Sequence, residues 1–137
     1  MIKIKAGKQL IALIIRNNEP LNGFIADQAN PLQLGFLSFV KNHQVRPHEH
    51  RCLTKTVHKN QEFIYVVSGQ LEVSFFNKGQ TFVKQRLETG DCLLQIRGGH
   101  GFRFLQPTKI ITVKQGPYRG KEREKKLLRT ASLQPSS

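Results

Sequence analysis

Two cysteines, Cys52 and Cys92, are all that the 137 residues contain, too few for a disulfide framework, and both thiols are expected to be reduced. No stretch reaches the roughly 18 consecutive apolar residues that a membrane span needs. The apolar patch "LIALII" near the start soon meets Arg16 and Glu19, and no small-residue cleavage site follows it. A cytoplasmic protein with no membrane contact is the expectation. Helical periodicity is nearly absent as well, so helix packing is not expected to build the core. Acidic residues are scarce: 9 Asp and Glu stand against 22 Lys and Arg, a formal charge of +13. That balance attracts anions of any kind. It lacks the long basic block, or the interleaving of aromatic and basic residues, by which a nucleic-acid-binding surface is recognised, so the charge is read as a solvated surface and nucleic acid is not an expected partner.

What remains is a chain of short β-branched and aromatic runs separated by Gly, Pro, Asn and Asp. The runs "QLIALIIR", "LQLGFLSFV", "EFIYVVS", "QLEVSFFN", "TFVKQRL", "DCLLQIR", "GFRFLQ" and "KIITVK" are predicted strands. "SGQ" and "NKGQ" read as tight hairpin turns, and "ETGD", "RGGHG" and "QPTK" as further breaks. The length suits one domain. Residues 1–118 are assigned to it, and 119–137 to a basic tail of net charge +4 with a short helix near its middle and a frayed end. The spacing and turns predict an all-β sandwich or jelly-roll barrel.

The stretch "PHEHRCLTKTVHKNQEFIYVVSGQ" carries the chemistry. On a strand His48 and His50 point to one side and Glu49 to the other. Glu62 shares a face with Ile64 and Val66, and an ionised carboxylate directed into an apolar interior costs several kcal/mol unless a cation accompanies it. His100, in "GGHGFRF", shares parity with Phe102 and Phe104 and supplies a third imidazole.

These residues resemble the cupin superfamily. Its first motif is matched by His48, Glu49, His50 and Glu62 with six residues to Gly69, and its second by Gly90, Asp91 and the run to His100. "GGHGF" and "VKQGPY" also resemble a group of small bacterial cupins. The resemblance implies a jelly-roll β-barrel (double-stranded β-helix) holding a divalent metal ion, Fe, Mn, Ni or Zn, on His48, His50, Glu62 and His100. One departure is plain: 11 residues separate His50 from Glu62, where the pattern has three or four.

Three imidazoles and a carboxylate leave two positions of an octahedral ion open for water or a bidentate small-molecule substrate. Arg46, Arg97 and Arg103 are candidates for holding an anionic substrate group, and Phe102 for shaping the cavity. The leading expectation is a metal-dependent enzyme acting on a small polar metabolite, anionic or carbohydrate-like. Two alternatives stand beside it: a non-catalytic metal- or ligand-binding cupin, and a metal-free enzyme resembling nucleotide-sugar ketoisomerases, with His48 or His50 as acid/base. For a homodimer, the "LIALII" strand is the expected exchange or edge-pairing element.

Overall fold

The computed structural model describes residues 1–128, and the end of the basic tail, 129–137, lies outside the described residues. Ten strands and one short helix follow in order: β1 (Ile2–Ala6), β2 (Gln9–Ile15), β3 (Gly23–Phe24), β4 (Gly35–Phe36), β5 (Glu62–Ser68), β6 (Gln70–Asn77), β7 (Gln80–Glu88), β8 (Cys92–Gln95), β9 (Gly99–Phe104), β10 (Lys109–Lys114) and α1 (Lys121–Glu124). A five-stranded sheet runs β1-β2-β8-β5-β10, a three-stranded sheet runs β7-β6-β9, and β3 and β4 form a small ribbon. All pairings are antiparallel, and neither sheet closes on itself.

The two sheets pack face to face. Ile14, Ile64, Val66 and Leu93 of the larger sheet meet Leu71, Val73, Phe75 and Leu87 of the smaller one in a fully buried inner core. Burying such side chains stabilises by roughly 1.5–3 kcal/mol each before conformational entropy is deducted. A second core lies on the outer face of the larger sheet, where Leu13, Ile15, Cys92, Leu94 and Ile96 are covered by Leu21, Ile25, Leu32, Leu34 and Phe36 from the segment around the ribbon. The double cover explains why "LIALII" and "CLL" are continuous apolar runs: their strands are buried on both faces. It also corrects the edge-pairing expectation, because β2 lies inside the sheet with β1 on one side and β8 on the other.

The turns sort into two kinds. At "NKGQ" Lys78 and Gly79 both have positive φ, 51° and 78°, the geometry of a two-residue hairpin loop, and β6 pairs with β7 across it. "SGQ" is different. Instead of a hairpin it is a corner that carries the chain from the larger sheet to the smaller, with Gly69 at φ 105° and a would-be Cβ only 2.5 Å from Thr108 Oγ1. Only glycine fits there.

The run "LQLGFLSFV" reduces to Gly35–Phe36, and residues 37–61 contain no strand. Asn42 takes a left-handed φ of 67° in a turn closed by the His43 N–H donating to the Val40 carbonyl. Pro47 then removes a ladder donor. Lys41, Arg46, Arg51, Lys55 and Lys59 hold the segment in solvent, and Leu37, Phe39 and Val40 are left exposed. No long apolar helix suitable for crossing a membrane is present among the described residues.

Candidate functional site at one end of the sandwich

Glu62 opens β5 on its inner face, in register with Gln95 on one side and Lys114 on the other. His100 stands on the inner face of β9, opposite the buried Phe75 of β6. The two sheets therefore bring carboxylate and imidazole together across the gap, His100 Nε2 lying 3.1 Å from Glu62 Oε2. On the other oxygen, Thr112 Oγ1 donates at 2.8 Å and Lys114 Nζ lies at 3.5 Å. Side-chain exposure is 16% for Glu62, 22% for His100 and 41% for Lys114, so the cluster is partly covered but open at its rim.

Burial alone pushes the Glu62 carboxyl up. The hydrogen bonds from His100 and Thr112, with the charges of His100 and Lys114, outweigh it and bring the group down to about 2. Glu62 is thus a carboxylate at neutral pH, and it draws its counter-charges from within the chain. Lys114 and His100 supply that charge beside it.

Around this carboxylate the hydrogen bonding is incomplete. Gln95, only 3% exposed, spends its amide N–H on the Arg97 carbonyl at 2.5 Å, but its Oε1 is buried without a partner. Arg97 Nε and His100 Nδ1 are likewise buried and unpartnered among the described residues. Such orphans are uncommon in folded proteins and call for a physical reason.

The other predicted residues are placed elsewhere. His48 and His50 contact each other, ring centroids 5.3 Å apart and edge to face, on the exposed segment 37–61, and His48 Nδ1 is 2.8 Å from the Arg46 carbonyl. Strand alternation does not orient them, since Pro47 and the flanking charges keep this stretch out of both sheets. Arg46 is exposed with them. Arg103 is on the outer face of β9, 71% exposed and 3.7 Å from Glu72, pointing away from the Glu62 cluster because it alternates with Phe102. Phe102 packs on the inner core with its ring centroid 4.7 Å from His100. Among the described residues no three His, Cys, Asp or Glu side chains stand together as a metal-holding group. Cys92 is core, its thiol pushed up to about 11 by burial and by the Asp91 charge, and Cys52 is free and exposed.

Thr112, Lys114 and Gln95 were not anticipated. The signal was available in the alternation: Thr112 and Lys114 continue the inward column of Ile110, and Gln95 that of Leu93, each as a polar residue ending an apolar column.

The chain matches no protein-family model, no curated protein and no solved structure.

The donor chemistry at the pair can be tested against a divalent ion. Two ligand atoms each about 2.1 Å from an ion and at a right angle to one another are about 3.0 Å apart, by geometry from ordinary metal–nitrogen and metal–oxygen distances. Glu62 Oε2 and His100 Nε2, at 3.1 Å, match that edge, a spacing that the direct hydrogen bond between them gives as well.

Proposed function

We propose that this chain is a cupin-like jelly-roll protein that binds a divalent metal ion at Glu62 and His100 and works as a metal-dependent enzyme on a small polar metabolite. The observation that carries the reading is the 3.1 Å spacing of a low-pKa carboxylate and an imidazole at the open end of an all-β sandwich. His48 and His50 complete the ligand set from segment 37–61. The 11 residues between His50 and Glu62 can span up to about 36 Å when extended, ample to reach the site.

When bound, a divalent ion supplies a positive centre that polarises a carbonyl or stabilises an adjacent anion. The chain's own residues do the rest. Thr112 fixes Glu62 through Oε1, leaving Oε2 directed at His100. Phe102 packs against the His100 ring and screens its inner side from water. Lys114, at the rim, provides a fixed positive charge for an anionic substrate group. Thr112→Val, which frees Glu62 to rotate, is expected to weaken metal affinity about tenfold, the lower end of what outer hydrogen-bond partners contribute.

A second reading is favoured by Lys114. Because it and His100 already balance Glu62, the pair can work without metal, with Glu62 orienting His100 as the acid/base in place of His48 or His50. Elemental analysis of freshly purified, untagged protein separates the two. Near-stoichiometric metal, lost in Glu62→Ala and His100→Ala variants that still fold, is the expected result. A protein that stays empty after supply of Fe, Mn, Ni and Zn overturns the metal reading in favour of the metal-free one.

A further inference from the structure

We infer that the end of the sandwich around Glu62 is a binding site for a hydroxylated carboxylic acid, a ligand carrying hydroxyl donors and an anionic acceptor together. The inference deepens the reading of this end as the functional site and rests on it. It starts from the side chains left without partners. The described residues contain four buried polar side-chain atoms with no hydrogen bond: Gln95 Oε1, Arg97 Nε, His100 Nδ1 and Gln115 Nε2. Two of the four belong to residues beside one carboxylate, and a third is on Arg97, whose backbone carbonyl Gln95 binds. Gln95 is the cross-strand neighbour of Glu62, Arg97 follows Gln95 by two residues and binds it through its carbonyl, and His100 contacts Glu62 directly.

The chemistry of the orphans is mixed, and the mixture selects the ligand. Gln95 Oε1 can only accept, so whatever meets it must donate. Lys114 Nζ, 3.5 Å from Glu62 Oε1 at the rim, is a donor with positive charge. His100 Nδ1 would carry the proton were Nε2 to hold an ion, and would then be a second donor. A ligand made only of acceptors, such as phosphate or a simple carboxylate, leaves Gln95 unpaired. A neutral polyol satisfies Gln95 but brings no charge for Lys114. A molecule with hydroxyls beside a carboxylate, as in a sugar acid, serves all of them. A site built around buried polar atoms discriminates strongly against analogues that leave one of them unpaired.

Three probes isolate the elements of the claim: glucuronate carries both features, glucose only hydroxyls, acetate only the anion. Calorimetric titration of each into the full-length protein, with and without Mn2+, is expected to rank glucuronate above the other two by about tenfold or more, one hydrogen bond's worth of discrimination to a charged or buried group. Gln95→Leu, close in volume and lacking the acceptor, should reduce glucuronate affinity about tenfold while leaving Mn2+ uptake unchanged. Equal affinity for all three probes, or none for any while Mn2+ still binds, overturns the inference and leaves the metal reading intact. A Gln95→Leu variant that binds glucuronate like the parent also overturns it, and assigns the orphans to bound water. Loss of Mn2+ uptake with glucuronate preference retained removes the metal reading alone.

Discussion

The two ends of this sandwich each hold a shielded carboxylate beside basic residues, and they differ in how completely the carboxylate's surroundings are satisfied. At one end Asp91, its side chain 6% exposed, accepts from Arg16 Nη1 at 2.8 Å, from the Asn17 backbone N–H at 2.9 Å and from the Glu88 backbone N–H at 2.9 Å. Arg16 Nη1 also reaches the Arg86 carbonyl at 2.6 Å, and no buried unpartnered side-chain atom is found among these residues. Asp91 ties the end of β2 to the β7–β8 turn, and its carboxylate oxygens are fully engaged by these donors. At the other end Glu62 has His100, Thr112 and Lys114, yet Gln95 and His100 beside it retain unused bonding capacity. The closed hydrogen-bond network holds the fold, and the open one is the proposed ligand site.

Breaking the closed end should cost the most. Asp91→Ala leaves the Asn17 and Glu88 backbone donors unpaired and frees a partly exposed Arg16, and a loss of about 2–4 kcal/mol is expected from chemical denaturation. A cost below about 1 kcal/mol would show that the network is not structural. Next in size is Gly90→Ala in the same turn. Gly90 has φ 89°, and an added Cβ would come 2.4 Å from Asn17 Cγ, so backbone strain and displacement of Asn17 together should cost about 1–3 kcal/mol. Thermal melts would register it, and an unchanged melting temperature would count against the described turn.

The open end should show its character in acid. Glu62 has its folded pKa lowered from 4.5 to about 2, so the stability it contributes is complete above about 4.5 and is lost as the pH falls toward about 2. Glu62→Gln should remove that part of the acid limb and leave the profile flatter between those values. An unaltered limb would mean that the contacts to His100, Thr112 and Lys114 are not formed in solution. The smallest effect is expected for Gln95→Leu. It exchanges a half-satisfied buried amide for an apolar group of similar size, and stability should change by less than about 1 kcal/mol in either direction. A loss of 3 kcal/mol or more would assign Gln95 to the closed kind of network.

Much of the larger architecture was legible in the sequence because its strands carry strong local signals. β5, β6 and β10 begin and end where "EFIYVVS", "QLEVSFFN" and "KIITVK" do, since each run alternates or is β-branched throughout and is bounded by turn residues. "SGQ" misled because a glycine with positive φ serves a hairpin and a corner equally well; which sheet receives the next strand is decided by distant partners. "LQLGFLSFV" misled because β-propensity describes fit to a half-buried surface, and residues 37–40 find none. At the site, Glu62 and His100 were legible from parity and motif. For Thr112 and Lys114 the alternation shows the inward face, but their meeting with Glu62 depends on β10 pairing with β5 from some 50 residues away.

The comparison between the ends can be tested in one spectrum. In 15N-resolved NMR of the protein with sub-stoichiometric Mn2+, the paramagnetic ion broadens signals near wherever it binds. The account predicts selective broadening of the His100 imidazole and the Glu62, Thr112 and Lys114 amides, with those of His48 and His50 included, while Arg16, Asn17 and Asp91 stay sharp. Broadening centred on Arg16 and Asp91, or no selective broadening anywhere, would contradict it.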